Sequence, residues 1–135
     1  MNSEIVGVLE ECANGSLAGT ISFPQVLEKL SAIGVERYHA DYSRQEITYY
    51  LKDGRSHVLS IAHPQQSIGI DFQGHLVAAA VKQSQGNEHT YSDFLLKTML
   101  AGCVGYFVQI SGARVIYFGR NGDSHVEHFP VSSST

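Results

Sequence analysis

The sequence is poor in cysteine, with only Cys12 and Cys103 among its 135 residues. The two do not form a CxxC pair, and neither belongs to a cysteine and histidine set spaced for zinc. Both lie in or beside an apolar helical pattern, so we expect reduced, buried thiols. A chain of this length can bury roughly two thirds of its unfolded surface without cross-links. We therefore expect one domain over residues 1–135.

Charge and long apolar segments are also scarce. Charged residues make up 16% of the chain, the net charge is −4, and the lysines and arginines are scattered. That distribution disfavours binding to nucleic acid, which requires massed positive charge. No apolar run approaches the roughly 20 residues that span a bilayer, so we expect no membrane partner. The first residues lack the basic flank and apolar stretch of a secretory signal, which favours a cytoplasmic location.

The motifs of the best-known enzyme classes are missing from the sequence. It contains no GxSxG, HExxH or Walker pattern. The glycine-rich segment 119–124 lies between two predicted strands, which favours a hairpin turn over a phosphate-binding loop. In the segment 125–128, strand alternation places His128 on the opposite face from His125 and Glu127, so one metal ion cannot easily take both histidines. We expect no metal site and no cofactor.

An internal repeat covers more than half of the chain. Aligning residues 22–58 with residues 90–126, at a constant offset of 68, gives ten identities in 37 positions without a gap. Ordinary residue usage would give roughly two or three identities. The identical pairs are Leu27/Leu95, Lys29/Lys97, Gly34/Gly102, Tyr38/Tyr106, Ser43/Ser111, Tyr49/Tyr117, Gly54/Gly122, Ser56/Ser124, His57/His125 and Val58/Val126.

Each copy of the repeat is predicted to begin as a helix and to continue as strands. Ser22 and Thr90 have the side chains of helix N-caps, and an acceptor follows each of them three residues later. Gly34 and Gly102 can take the left-handed conformation that closes a helix. Beyond each glycine the apolar period changes to two, which indicates strands. The strongest hairpin signals are Asp53-Gly54 and Asn121-Gly122.

A further helical pattern precedes each copy, ending near Gly15 and near Gly86, and aligning these two patterns requires an insertion or deletion. The sequence therefore predicts an α+β fold in which a unit of two helices and a three-stranded meander occurs twice. The first unit covers about 2–61, the second about 71–130, and a linker covers about 62–70. We expect a mainly antiparallel sheet with the helices on one face. Whether the two meanders join into one sheet is left open.

The first candidate site uses histidines that recur in the repeat. His57 and His125 occupy the same position in the two copies, and a pseudo-twofold axis would bring them toward one cleft with Glu127, Tyr49 and Tyr117. Glu127 shares the strand face of His125, where it could orient the ring or act as a base. The alternative is structural: each imidazole bonds a nearby backbone group, and the tyrosines belong to the core of the sheet.

The second candidate site is a polar strand face formed by Arg37, His39 and Asp41. Alternation places these three side chains on the same face. A histidine oriented by a carboxylate is what general-base chemistry requires. A solvent-exposed ladder of ion pairs has the same spacing. The second copy carries Phe107 at the position of His39, which indicates that this face is partly covered.

Several short motifs along the chain resemble those of a known family. They are Phe23-Pro24, Gly34-Val35-Glu36-Arg37-Tyr38, Thr48-Tyr49-Tyr50, Asp53-Gly54, Tyr91 with Phe94-Leu95, Ala101-Gly102, Val115-Ile116-Tyr117-Phe118-Gly119 and Glu127-His128-Phe129-Pro130. The pattern resembles the uncharacterised bacterial family catalogued as domain of unknown function 1398, some members of which are labelled phage envelope protein. The resemblance implies a small α+β domain often found in prophage or accessory regions. It implies no established activity, cofactor or catalytic residue.

These observations lead to one expectation of function and two alternatives. We expect a noncatalytic cytoplasmic module of accessory or prophage origin that binds a small molecule or a protein partner. The first alternative is a small enzyme that uses one of the two histidine sites for acid–base chemistry. The second is a homodimer in which an edge strand, or the exposed face around Phe107, meets its copy.

Overall fold

The computed structural model describes residues 2–130 and has four helices and six strands over that range. The helices are α1 (Ser3–Ala18), α2 (Phe23–Ala32), α3 (Gly74–Gln85) and α4 (Tyr91–Leu100). The strands are β1 (Val35–Asp41), β2 (Glu46–Leu51), β3 (Ser56–Ser60), β4 (Cys103–Gln109), β5 (Arg114–Gly119) and β6 (Ser124–His128). None of the described helices is long and apolar enough to cross a membrane. The fold class is α+β, as predicted.

Helices α2 and α4 begin at the predicted caps. Ser22 Oγ accepts a hydrogen bond from the backbone N–H of Gln25 at 3.3 Å, and the Gln25 side chain accepts one from the Ser22 N–H at 2.8 Å. Thr90 and Asp93 make the same two bonds, each at 3.1 Å. Such reciprocal bonds satisfy backbone N–H groups that the first turn leaves free. They determine where each helix starts.

The six strands form one antiparallel sheet in the order β3-β2-β1-β4-β5-β6. Each meander contributes three consecutive strands, and the meanders join through the central pair of β1 and β4. Across this junction Arg37 lies opposite Gln109, and Asp41 lies opposite Gly105. The question that the sequence left open is therefore answered: the two meanders build a single sheet.

The helices pack on one face of this sheet. Leu9, Leu30, Val77 and Leu95, one from each helix, are fully buried. They belong to the same core as the strand side chains of that face. On the opposite face Val58 is 50% exposed. The predicted two-layer arrangement is thus confirmed.

The offset of 68 residues also relates the secondary-structure elements. Strands β1, β2 and β3 and helix α2 begin and end 68 residues before β4, β5, β6 and α4. That the two halves are copies of one ancestral unit stays a prediction. The same offset relates the buried positions of α1 to those of α3, which are Leu9/Val77, Cys12/Ala80 and Ala13/Val81.

Helix α1 does not end near Gly15. Gly15 lies inside the helix, where a Cβ atom would come 2.4 Å from Cδ1 of Ile21 as the chain folds back. The helix instead ends at Ala18, and Gly19 follows it with φ 75° in the left-handed region. Gly15 is therefore a packing residue and not a helix terminator. The predicted end of α1, and the insertion or deletion that followed from it, are wrong.

Candidate functional site

Two rows of side chains cross the helix-facing side of the sheet, with one residue from each strand. From β3 to β6 the first row is His57, Tyr49, Tyr38, Val108, Val115 and Glu127. In the same strand order the second row is Leu59, Ile47, Ala40, Tyr106, Tyr117 and His125. Four tyrosines therefore occupy the four central strands.

A cavity of about 820 Å³ lies between these rows and the helices. The four tyrosines of the rows lie on its floor. Its walls include Cys12, Ala13 and Ser16 of α1, and its rim includes Phe23 at the start of α2 and Tyr91 at the start of α4. The cavity thus opens where the two helical hairpins face each other above the centre of the sheet.

The lining of the cavity follows the pseudo-symmetry of the chain. Many lining residues occur as pairs that are 68 positions apart, so that both halves contribute the same kinds of side chain. These pairs are Ala13/Val81, Ser16/Ser84, Ser22/Thr90, Phe23/Tyr91, Val26/Phe94, Tyr38/Tyr106, Ile47/Val115, Tyr49/Tyr117 and Ile61/Phe129.

Three tyrosine hydroxyls open onto this cavity without a partner in the described part of the chain. Tyr38, Tyr49 and Tyr117 are each at most 5% exposed. Every fully inaccessible side-chain N or O atom over residues 2–130 has a hydrogen-bond partner, so these hydroxyls are not sealed in the core. They face the cavity that their residues line. Burial raises the pKa of each, which leaves a protonated hydroxyl able to donate to a bound molecule.

The fourth tyrosine of the floor is paired. Tyr106 Oη lies 2.6 Å from Tyr91 Oη, so the start of α4 is tied to the sheet. Burial raises the pKa of Tyr91 to about 12. The Tyr91 ring stacks on Phe94, with ring centroids 6.2 Å apart. This side of the cavity is a rigid aromatic wall.

A neutral histidine lies at the rim beside α4. His89 Nε2 is 2.7 Å from Ser84 Oγ, and Nδ1 is 2.9 Å from Nζ of Lys97. Desolvation and the nearby Lys97 charge lower the pKa of His89. The imidazole is therefore uncharged near neutral pH, with Nδ1 accepting from the ammonium group and Nε2 donating to the serine.

The two repeated histidines lie at opposite edges of the sheet. His57 belongs to β3 and His125 to β6, with four strands between them. Pairing β1 with β4 moves the third strand of each meander outward, so the expectation of one cleft shared by both histidines is wrong. Tyr49, Tyr117 and Glu127 do line the cavity, whereas the lining includes neither of these histidines.

His125 and Glu127 contact each other at the end of the rows. His125 Nε2 lies 2.5 Å from Glu127 Oε2, with the carboxylate accepting the bond. The His125 ring also stacks against Tyr117 at 6.4 Å between centroids. Within residues 2–130 no three histidine, cysteine or carboxylate side chains are grouped closely enough to hold a metal ion. The pair therefore orients Glu127 at the cavity.

Arg37, His39 and Asp41 lie on the face of the sheet opposite the cavity. Arg37 pairs with Glu36 and lies over the Tyr50 ring, 4.2 Å from its centroid. His39 stacks on Phe107 at 4.5 Å, and burial lowers its pKa, while Asp41 opposes the shift. Asp41 Oδ1 accepts instead from the backbone N–H of Arg44 at 3.2 Å. The three share a face, but their contacts are with other side chains and the backbone.

A family model described as "Protein of unknown function (DUF1398)" matches residues 19–127. This range contains α2, α3, α4 and most of the sheet, including the four tyrosines of the floor. The chain belongs to this family. The label of phage envelope protein stays a prediction. A search of curated proteins finds no match.

The DUF1398 match leaves out most of α1, although α1 supplies part of the cavity wall. Sequence reasoning also missed this contribution. It interpreted Cys12 as an ordinary buried thiol, and nothing in the apolar spacing of α1 separates a residue packed in a core from one lining a cavity. The repeated tyrosines were the available signal, because a tyrosine on the inner face of a sheet needs a partner for its hydroxyl.

The two cysteines are expected to differ in reactivity because only Cys12 lines the cavity. Cys103 is fully buried, and its thiol donates to the Gly105 carbonyl at 3.2 Å. We expect methyl methanethiosulfonate, which is small and uncharged, to modify Cys12 of the folded protein at least roughly tenfold faster than Cys103. Peptide mass spectrometry over time measures both rates. Equal rates in the folded protein, as expected in urea, would show that the cavity does not admit the reagent.

Proposed function

We propose that this protein is a noncatalytic binding module that holds a small, largely apolar molecule in the cavity between its helices and its sheet. One observation carries the proposal: the hydroxyls of Tyr38, Tyr49 and Tyr117 face a cavity of about 820 Å³ without a partner in the described chain. Sites for small molecules usually measure about 300–1,000 Å³ and combine apolar walls with a few polar groups. The cavity has both properties.

The packing of the rest of the molecule supports this function. Protein interiors are packed as densely as organic crystals, and an empty apolar space forfeits contacts on all its walls. Here the space is surrounded by side chains that are themselves well ordered by the sheet and by the helix caps. A bound molecule would restore the lost contacts and supply hydrogen-bond partners for the tyrosines.

The contact of His125 with Glu127 favours a second candidate, an enzyme that uses Glu127 as a base. The carboxylate lines the cavity, and the imidazole holds it in place. Binding without chemistry is the better-supported function, because the second polar set, around His39, lies on the opposite face. Native mass spectrometry of the untagged protein separates the two candidates: a co-purified molecule released unchanged supports binding, and one converted over time supports catalysis.

The remaining parts of the proposal concern context. The family resemblance supports a bacterial protein of accessory or prophage origin, and the acidic, lightly charged sequence supports a cytoplasmic location. A homodimer through the outer face of the sheet is supported by the exposure of Val58 and Val126 on that face. Sedimentation at high protein concentration tests that association.

Removing two hydroxyls from the floor is expected to weaken binding without weakening the fold. Each hydrogen bond contributes about 1 kcal/mol, so the Tyr49→Phe, Tyr117→Phe double variant should bind 2-naphthol about tenfold to thirtyfold more weakly. The free energy of unfolding should stay nearly unchanged, because these hydroxyls bond no other described side chain. An NMR titration of labelled protein gives the affinity and the residues affected.

The matched control is Tyr50→Phe. Tyr50 is adjacent to Tyr49 on β2 but points to the opposite face, so the affinity for 2-naphthol should not change. Chemical-shift changes confined to the outer face, or an unchanged affinity of the double variant, would contradict the proposed binding site.

A further inference from the structure

We propose that the occupant of the cavity is an organic cation, an amine or quaternary ammonium compound with an apolar body of aromatic size, whose charged group lies at Glu127. This inference rests on the proposed binding function and names its ligand class. It follows from the charges that line the cavity, from the aromatic surfaces around it, and from the way the two halves of the chain differ.

Glu127 is the only carboxylate in the lining, and the lining contains no lysine or arginine. His89, at the rim, is neutral near pH 7 because desolvation and Lys97 lower its pKa. Lys97 itself is outside the lining, and its ammonium group donates to Gln83 and His89. Glu127 uses Oε2 to accept from His125, which leaves Oε1 for a ligand. The fixed charge that a ligand meets is therefore negative.

Aromatic side chains surround the same space. A cation gains energy when it lies over the face of such a ring, and the gain increases when water is excluded. The rings also provide flat apolar contact for the body of the ligand. The aromatic residues of the lining are Phe23, Tyr38, Tyr49, Tyr91, Phe94, Tyr106, Tyr117 and Phe129.

Anions lack a comparable partner in this cavity. The starts of α2 and α4 lie at the rim, and a helix start can attract an anion. Both starts are already occupied, since Ser22 with Gln25 and Thr90 with Asp93 take the free N–H groups in reciprocal bonds. Asp93 adds a negative charge beside one of them. An anionic ligand would also meet Glu127 without a compensating lysine or arginine.

The difference between the halves gives the ligand one charged end. At the offset of 68 residues the counterpart of Glu127 is Leu59, so the carboxylate is present on one side only. The tyrosine pairs of the floor, in contrast, are the same in both halves. A molecule with a single cationic head and an apolar remainder matches this distribution, with the head at β6 and the body over the tyrosines.

Three probes of similar shape test the inference: phenyltrimethylammonium, its neutral isostere tert-butylbenzene, and benzenesulfonate. We expect the cation to bind at least about tenfold more tightly than the neutral isostere, and benzenesulfonate to bind more weakly than either. Affinities are measured by NMR titration of the full chain at constant ionic strength. In Glu127→Gln the preference for the cation should disappear, while tert-butylbenzene should bind as in the parent protein.

Glu46→Gln is the matched control, since Glu46 lies on the outer face of the sheet and should leave all three affinities unchanged. Equal binding of cation and neutral isostere, a preference for benzenesulfonate, or a cation preference that survives in Glu127→Gln would overturn the ligand class while leaving the cavity as a binding site. If neither phenyltrimethylammonium nor tert-butylbenzene shifts the signals of cavity residues, the proposed function fails, and this inference fails with it.

Discussion

Gly102→Ala is expected to lower the free energy of unfolding by about 3–4 kcal/mol, which is large for a change of one methyl group. Gly102 has φ 86°, and a Cβ atom there would lie 2.2 Å from the backbone oxygen of Asp71. The methyl group must displace the segment before α3, which is held by bonds from Gln73 N–H to the Ala101 carbonyl and from Gly69 N–H to the Met99 carbonyl. Urea unfolding monitored by circular dichroism measures the loss.

Gly34→Ala is the matched control for this variant. Gly34 is the counterpart of Gly102 and has φ 87°, but no atom lies within 4 Å of a Cβ built on it. Its substitution should cost only the strain of a left-handed residue, about 1 kcal/mol. Equal losses in the two variants would mean that backbone strain alone makes glycine necessary at both positions, and that the close approach of residues 71 and 72 is unimportant.

Local signals predicted the helix starts and the fold class. Ser22 with Gln25 and Thr90 with Asp93 bond within a single turn, so the chain nearby contains all the information that the caps require. The end of α1 was mispredicted for the opposite reason. A glycine inside a helix and a glycine that terminates one look alike in sequence, and Gly15 is needed inside α1 only because Ile21 packs against it.

Long-range pairing decided what the sequence left open about the site. The repeat predicted that His57 and His125 are equivalent, but equivalence gives no distance between them. That distance depends on which strands form the junction, and the β1 and β4 pair places both histidines at the edges. A cavity is harder still to predict, because it depends on the separation of two helical hairpins and leaves no periodic pattern.

The differences between the halves carry the functional information that the repeat alone conceals. Positions shared by both, such as Tyr49 and Tyr117, build a symmetric floor. Positions that differ, such as Glu127 opposite Leu59 and His89 opposite Ile21, give the cavity two unlike ends. Comparing the halves residue by residue therefore identifies ligand-orienting side chains even where no catalytic motif is present.

Enlarging two buried alanines should have opposite consequences if the cavity is real. Ala40 is fully buried between Ile47 and Tyr106 and is outside the cavity, so Ala40→Leu should overpack the core and cost about 2–3 kcal/mol. Ala13, 5% exposed, lines the cavity. Ala13→Leu should fill empty space and leave stability unchanged or higher by about 0.5–2 kcal/mol. Urea unfolding of both variants measures the difference.

The same pair of variants connects the cavity to binding. Leucine at position 13 takes up space that a ligand would occupy, so Ala13→Leu should bind 2-naphthol at least about tenfold more weakly although it is as stable as the parent protein. A loss of stability in Ala13→Leu as large as that in Ala40→Leu would mean that α1 packs tightly on the sheet. Undiminished binding in a stable Ala13→Leu would instead place the ligand away from α1, over the Tyr106 and Tyr117 side of the floor.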